Sequence, residues 1–103
     1  MSIKKTTSIV HKYLQKVKKA GIPVVQAYIF GSQVTGKARY GSDIDLCIIS
    51  PRFGKDRQKE RIILMNLSDE TTDIIEPHPY SPIDFQNSFD PLSREIRKTG
   101  III

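Results

Sequence analysis

A chain of 103 residues, 39% hydrophobic and 26% charged, has the length of one compact domain, expected over residues 1–103, and the composition of an ordinary soluble globule. Its single cysteine excludes an intramolecular disulfide and argues against a zinc cluster. No apolar run approaches the ~18–20 residues of a membrane span and nothing resembles a signal peptide, so a cytoplasmic protein is expected. With 16 Lys and Arg against 11 Asp and Glu, the formal net charge is +5, which favours anionic partners such as nucleotides, RNA or an acidic protein face.

Along the chain, Thr7 to Ala20 spaces Ile9, Val10, Tyr13, Leu14 and Val17 as one helical face with lysines opposite. Thr6, Thr7 or Ser8 could cap this helix, and Gly21 ends it. Val24 to Phe30 reads as a buried strand stopping at Gly31, with Tyr28 and Phe30 as core. Gly31 to Gly41 is a glycine-rich loop with room for one helical turn. Asp43 to Ser50 is the second strand, stopped by Pro51, with Cys47 as a small buried hydrophobe. Asp56 to Leu67 predicts a helix. Thr72 to Glu76 opens a third strand, which Pro77, Pro79 and Pro82 permit only near a sheet edge or a strand end. Ser81-Pro82 has a helix-start pattern, and Pro91 to Thr99 predicts a last short helix closed by Gly100. Asp84 and Asp90 suit the caps or first turns of these helices. Ile101 to Ile103 is a short added strand or an apolar tail. The order predicts an α/β (α+β) domain: a small mixed β-sheet flanked by helices, with the 56–67 helix as a crossover.

The chemistry is concentrated in Gly31-Ser32 and Asp43-Ile44-Asp45. Asp43 and Asp45 are two apart on a strand, so both point to one face, about 6.5–7 Å apart along the backbone. Two like charges there are unfavourable without a cation between them, and aspartate is a poor strand former. Oxygen-only ligands favour Mg2+ or Mn2+ over zinc, and carboxylates sharing such ions with phosphate oxygens serve phosphoryl and nucleotidyl transfer. A glycine directly after a buried strand lets the backbone approach a phosphate, and the Ser32 hydroxyl adds a contact. Lys37 and Arg39 could reach a triphosphate, Tyr40 could stack on a nucleobase, and His78 could touch a base or an acceptor.

Gly-Ser, three residues, Gly, four residues, Gly-Ser-Asp-Ile-Asp-Leu resembles the signature of the DNA polymerase β-like nucleotidyltransferase superfamily. Matching Gly31, Ser32, Ser42, Asp43 and Asp45 by chance has odds of about one in a million per start position, at ~5–7% usage each. The chain looks like the short minimal nucleotidyltransferase (MNT) branch. That resemblance extends to Ile75-Glu76-Pro77-His78-Pro79-Tyr80, Pro82 to Phe85, Arg94-Glu95-Ile96 and Gly100-Ile101. Such proteins resemble the antitoxin halves of HEPN–MNT toxin–antitoxin pairs, some of which transfer AMP from ATP to a tyrosine of the HEPN partner. The resemblance implies a polymerase β-like fold, Mg2+ or Mn2+, and ATP or another nucleoside triphosphate as substrate. It also implies a HEPN-type partner protein. Asp43, Asp45 and a third carboxylate would bind metal and catalyse, and Gly31, Ser32, Gly41 and Ser42 would bind nucleotide. Asp73 and Glu76 are the candidates for the third carboxylate, three apart and so on opposite faces of a regular strand. The Glu76-Pro77 pattern of short relatives favours Glu76. Where many relatives carry an arginine just after Gly-Ser, this chain has Gln33 and Thr35.

Two other readings compete. A chain this short could act by docking on a toxin with its site subordinate, using Ile101 to Ile103 as an exposed apolar contact. An RNA-directed transferase would draw on the basic surface, but no aromatic-interleaved basic run or RNA-binding module supports nucleic acid as the favoured partner.

Overall fold

A computed structural model of the chain describes residues 2–35 and 43–103. Helix α1 spans Ile3–Lys19 and buries Val10, Tyr13, Leu14 and Val17, spaced three or four residues apart as the sequence predicts. It begins four residues earlier than expected because Ser2, rather than Thr6, Thr7 or Ser8, is its cap, accepting from the Lys5 N–H at 3.2 Å. Lys16, Lys18 and Lys19 occupy the last turn, where positive charge suits the helix dipole.

Strands β1 (Gln26–Phe30) and β2 (Ile44–Ile49) pair antiparallel, with Phe30 opposite Asp45 and Gln26 opposite Ile49. Between them lies the one-turn helix α2 (Ser32–Thr35). Val24 and Val25, expected in the first strand, precede it, and Val25 is exposed. Helix α3 (Arg57–Met65), capped by Asp56, carries the chain from β2 to β3 (Ile75–Tyr80), which runs parallel to β2.

The third strand begins later and runs further than Thr72–Glu76, passing through both Pro77 and Pro79. The sheet order β3-β2-β1-β4 explains this, since β3 is an edge. The Ile74 and Tyr80 carbonyls accept from the N–H groups of Ile44 and Ser50, so the even-numbered residues of β3 turn their peptide groups into the ladder. The odd-numbered prolines then sit where the missing N–H would face away from β2.

After β3, Ser81 caps the single-turn helix α4 (Pro82–Phe85), with Asp84 in that turn, and Asp90 caps α5 (Pro91–Thr99). Ile101–Ile102 forms a short strand, β4, antiparallel to β1.

The alternation of strand residues divides the interior in two. Ala27, Ile29, Ile44, Leu46, Ile48 and Ile75 pack toward α1 and Leu64 of α3. Phe30, Cys47, Ile49 and Tyr80 pack toward Phe85 and Ile96. Each fully buried aliphatic side chain contributes about 1.5–3 kcal/mol relative to exposure, so the two layers hold the sheet from both sides. Helix α3 contributes only Leu64 to the buried set; Ile62, Ile63 and Met65 are about half exposed. Among the described residues no helix is long and apolar enough to cross a membrane.

Candidate functional site

Asp45, Cys47 and Ile49 of β2 share a face by the two-residue period of the strand, as do Glu76, His78 and Tyr80 of β3. The parallel register sets Asp45 beside Glu76, Cys47 beside His78 and Ile49 beside Tyr80. Phe85 and Ile96 cover the Cys47, Ile49 and Tyr80 end of this face. The Asp45, Glu76 and His78 end stays half-buried.

Three further contacts define that end. His78 Nε2 lies 3.3 Å from Asp45 Oδ1, and its ring meets Phe30 edge-on, centroids 5.0 Å apart. From α3, Arg61 donates to Glu76 Oε1 at 2.6 Å. Over β1's end, Gly31 adopts φ +78°, and a Cβ built there would collide with an Asp45 carboxylate oxygen. Only glycine allows the chain to turn this close above that carboxylate.

One helical turn before Arg61, Arg57 covers the rest of the β3 face. Its guanidinium carbon stands 4.1 Å from the Tyr80 ring centroid, a cation–π contact, and it pairs with Asp90 at 3.7 Å. Burial pushes the Tyr80 hydroxyl up to about 12, and the adjacent Asp90 carboxylate adds to the rise. Burial likewise pushes the Cys47 thiol up to about 12, which keeps it protonated and unreactive.

Of the residues the sequence singles out, the fold brings together Gly31, Asp45 and Glu76. Ser32 follows Gly31 directly, as the first residue of α2. Asp43 is exposed one residue ahead of β2, and among the described residues the converging donors are Asp45, Glu76 and His78. Asp73 is exposed in the turn before β3. Gly41 and Ser42, with Gly36, Lys37, Arg39 and Tyr40, lie outside the described residues. Gln33 of α2 meets Thr6 of α1, hydroxyl to amide oxygen, at 3.4 Å.

Sequence reasoning did not reach Arg61, nor a place for His78 beside the carboxylates. The signal for His78 was its even spacing from Glu76 on one strand. For Arg61 it was the i, i+4 pair with Arg57 on one helix face.

The donor atoms of Asp45, Glu76 and His78 all lie within 4.8 Å of one another. Two carboxylates and an imidazole at that spacing fit a single divalent cation.

A mixed four-stranded sheet with helices on both faces, bearing a carboxylate pair side by side on its two parallel strands, is a nucleotidyltransferase-type fold. A candidate nucleotidyltransferase from Sulfolobus solfataricus, solved by crystallography, has a similar fold. Its TM-score is 0.59 at 16% sequence identity, over 96% of this chain and 76% of that one. The sequence profile of the nucleotidyltransferase domain matches residues 10–102, and the chain belongs to that family. No curated protein matches the sequence significantly.

Proposed function

We propose that the chain moves a nucleoside monophosphate, AMP from ATP in this reading, to an acceptor hydroxyl on a HEPN-type partner, as the antitoxin of a toxin–antitoxin pair in the cytoplasm. Residues 1–103 act as one nucleotidyltransferase domain. The observation that carries the transferase reading is the packing of Gly31 onto the Asp45 carboxylate, with Glu76 in register beside it.

In this reading Asp43, Asp45 and Glu76 are the metal ligands, for Mg2+ or Mn2+. The bound ion supplies charge neutralisation on the triphosphate. Gly31 and Ser32, with Gly41 and Ser42, hold the phosphates through backbone N–H groups and hydroxyls. Gly31 lets the backbone turn against the Asp45 carboxylate, so that backbone N–H groups and the carboxylate can face one phosphate. The acceptor oxygen attacks the α-phosphorus, Glu76 draws off its proton, and the bond to the β-phosphate breaks with release of pyrophosphate. Arg61 holds Glu76 Oε1 in the metal-free protein and must share or release it when the ion binds.

The test is calorimetric titration of ATP with divalent metal into wild type and the Asp43→Asn/Asp45→Asn pair, followed by transfer of labelled AMP to a co-expressed HEPN-type protein. Metal-dependent binding that is lost in the pair, with label appearing on the partner, supports the reading. Binding that survives in the pair overturns the ligand assignment.

The exposed Ile101 and Ile102 favour a second role, docking on the partner. Under that reading alone, the Asp43→Asn/Asp45→Asn variant would still neutralise the toxin.

A further inference from the structure

His78 adds a nitrogen donor to a site whose other donors are carboxylate oxygens. It stands two residues beyond Glu76 on β3, so the pleat sets both on the face that carries Asp45. The ring is held from two sides, edge-on against Phe30 and with Nε2 3.3 Å from Asp45 Oδ1. Its side chain is only 19% exposed, so the nitrogen is presented in a fixed direction. Neighbouring donors of an octahedral ion with bonds of about 2.1 Å lie about 3 Å apart, close to the separation of these two atoms.

The identity of that donor bears on which ion is held. Mg2+ takes oxygen ligands and gives up its waters reluctantly. Imidazole nitrogen suits first-row transition ions better than Mg2+, and among them Mn2+ also takes the carboxylate oxygens that Asp45 and Glu76 offer. We propose that His78 is a metal donor alongside Asp45 and Glu76, and that it gives this site a preference for a first-row transition ion, Mn2+, over Mg2+. The inference rests on the reading of Asp45 and Glu76 as metal ligands and adds selectivity to it. It also revises the oxygen-only donor set that the two aspartates suggest by themselves.

The experiment titrates Mn2+ and Mg2+ separately, without nucleotide, into metal-free wild type, His78→Gln, His78→Ala and Asp45→Asn, each checked for fold by circular dichroism. Free Mn2+ is read by its electron paramagnetic resonance signal and Mg2+ by calorimetry. Glutamine keeps a polar side chain at the position but offers an amide oxygen for the ring nitrogen, and alanine removes the donor altogether.

The expected result is that wild type binds Mn2+ tighter than Mg2+. Both His78 variants should lose at least ~10-fold in Mn2+ affinity, since even an outer-shell partner typically costs ~10–100-fold, with Mg2+ affinity changed much less. Pulsed resonance on bound Mn2+ should show coupling to a nitrogen-14 nucleus in wild type and none in either variant. If wild type shows no nitrogen coupling, or if the Mn2+ to Mg2+ ratio is the same in all three proteins, while Asp45→Asn loses both ions, the role of His78 is overturned and the carboxylate site stands. If Asp45→Asn binds both ions like wild type, or wild type binds neither, the carboxylate site falls and the inference with it.

Discussion

Gly31 and Asp45 pack so closely that a side chain at position 31 has nowhere to go: an added Cβ would stand 3.4 Å from Asp45 Cγ and 3.6 Å from its Cβ, and into its carboxylate oxygen. Gly31 also holds φ +78°, which costs an L-residue about 1–2 kcal/mol. Gly31→Ala is therefore expected to lower the melting temperature by several degrees. Because the carboxylate must rotate to admit the methyl group, the variant should also lose metal-dependent ATP binding. Thermal unfolding and calorimetry on the same sample check both. A variant that melts lower but binds as wild type would separate the turn from the site.

Arg61 holds Glu76 with a charge-assisted hydrogen bond, while both side chains remain about 40% exposed (42% and 38%). A pair that exposed contributes about 0–1 kcal/mol to stability, so Arg61→Met should leave the fold within that range. The effect on cation binding should be larger. Without the guanidinium, Glu76 loses the positive charge that pairs with it, and a divalent ion no longer competes for Oε1. Added Mn2+ should then raise the melting temperature of Arg61→Met more than that of wild type. An equal rise would mean that Arg61 does not compete with the cation, and a smaller rise that it assists.

How much of this was readable in the sequence depends on the range of each interaction. The α1 stripe, the Asp90 cap and the strand after Asp43 are local, carried by spacing over a few residues. The two core layers were not read there: Ile44, Leu46 and Ile48 alternate with Asp45, Cys47 and Ile49, but which elements cover each face is a tertiary matter. The proline-bearing third strand was cut short because prolines oppose a strand locally. They are tolerated only because β3 lies at an edge with its odd-numbered residues turned outward. That Glu76 rather than Asp73 lies beside Asp45 follows from the register against β2, which no local pattern contains. Arg61 reaching Glu76 fifteen residues away, and His78 reaching Asp45 across the sheet, are tertiary facts of the same kind.

Tyr13 links the first and third helices through one polar contact. Fully buried on α1, it donates its hydroxyl to the Leu64 carbonyl of α3. Leu64 is the residue through which α3 enters the core, and its carbonyl keeps a second partner in the Leu67 N–H. Tyr13→Phe thus loses one hydrogen bond without orphaning the acceptor, and should cost about 1 kcal/mol. Denaturant unfolding should show a lower midpoint with an unchanged slope. No change would indicate that Tyr13 contributes through its ring alone.

Alkaline pH should unfold the protein through its buried proton donors. Burial raises the Cys47 thiol from 9.0 and the Tyr80 hydroxyl from 10.0, each to about 12, and raises Tyr13 further still. These groups are neutral when protonated, and the folded chain keeps their protons at pH values where the unfolded chain has released them. Above the unfolded values the native state therefore binds more protons, so stability falls as pH rises. The stabilisation is complete below about pH 9 and is lost progressively toward pH 12. Unfolding midpoints measured from pH 8 to 11 should decline, and the share of tyrosinate absorbance that comes from Tyr13 and Tyr80 should appear only with loss of structure. Cys47→Ala should delay the onset by about one pH unit, toward the 10.0 of tyrosine. In the native state at pH 8 the Cys47 thiol should resist Ellman's reagent and react only after denaturant is added. Rapid labelling of the folded protein would show that the β2 face opens without unfolding, and the alkaline transition would then need another origin.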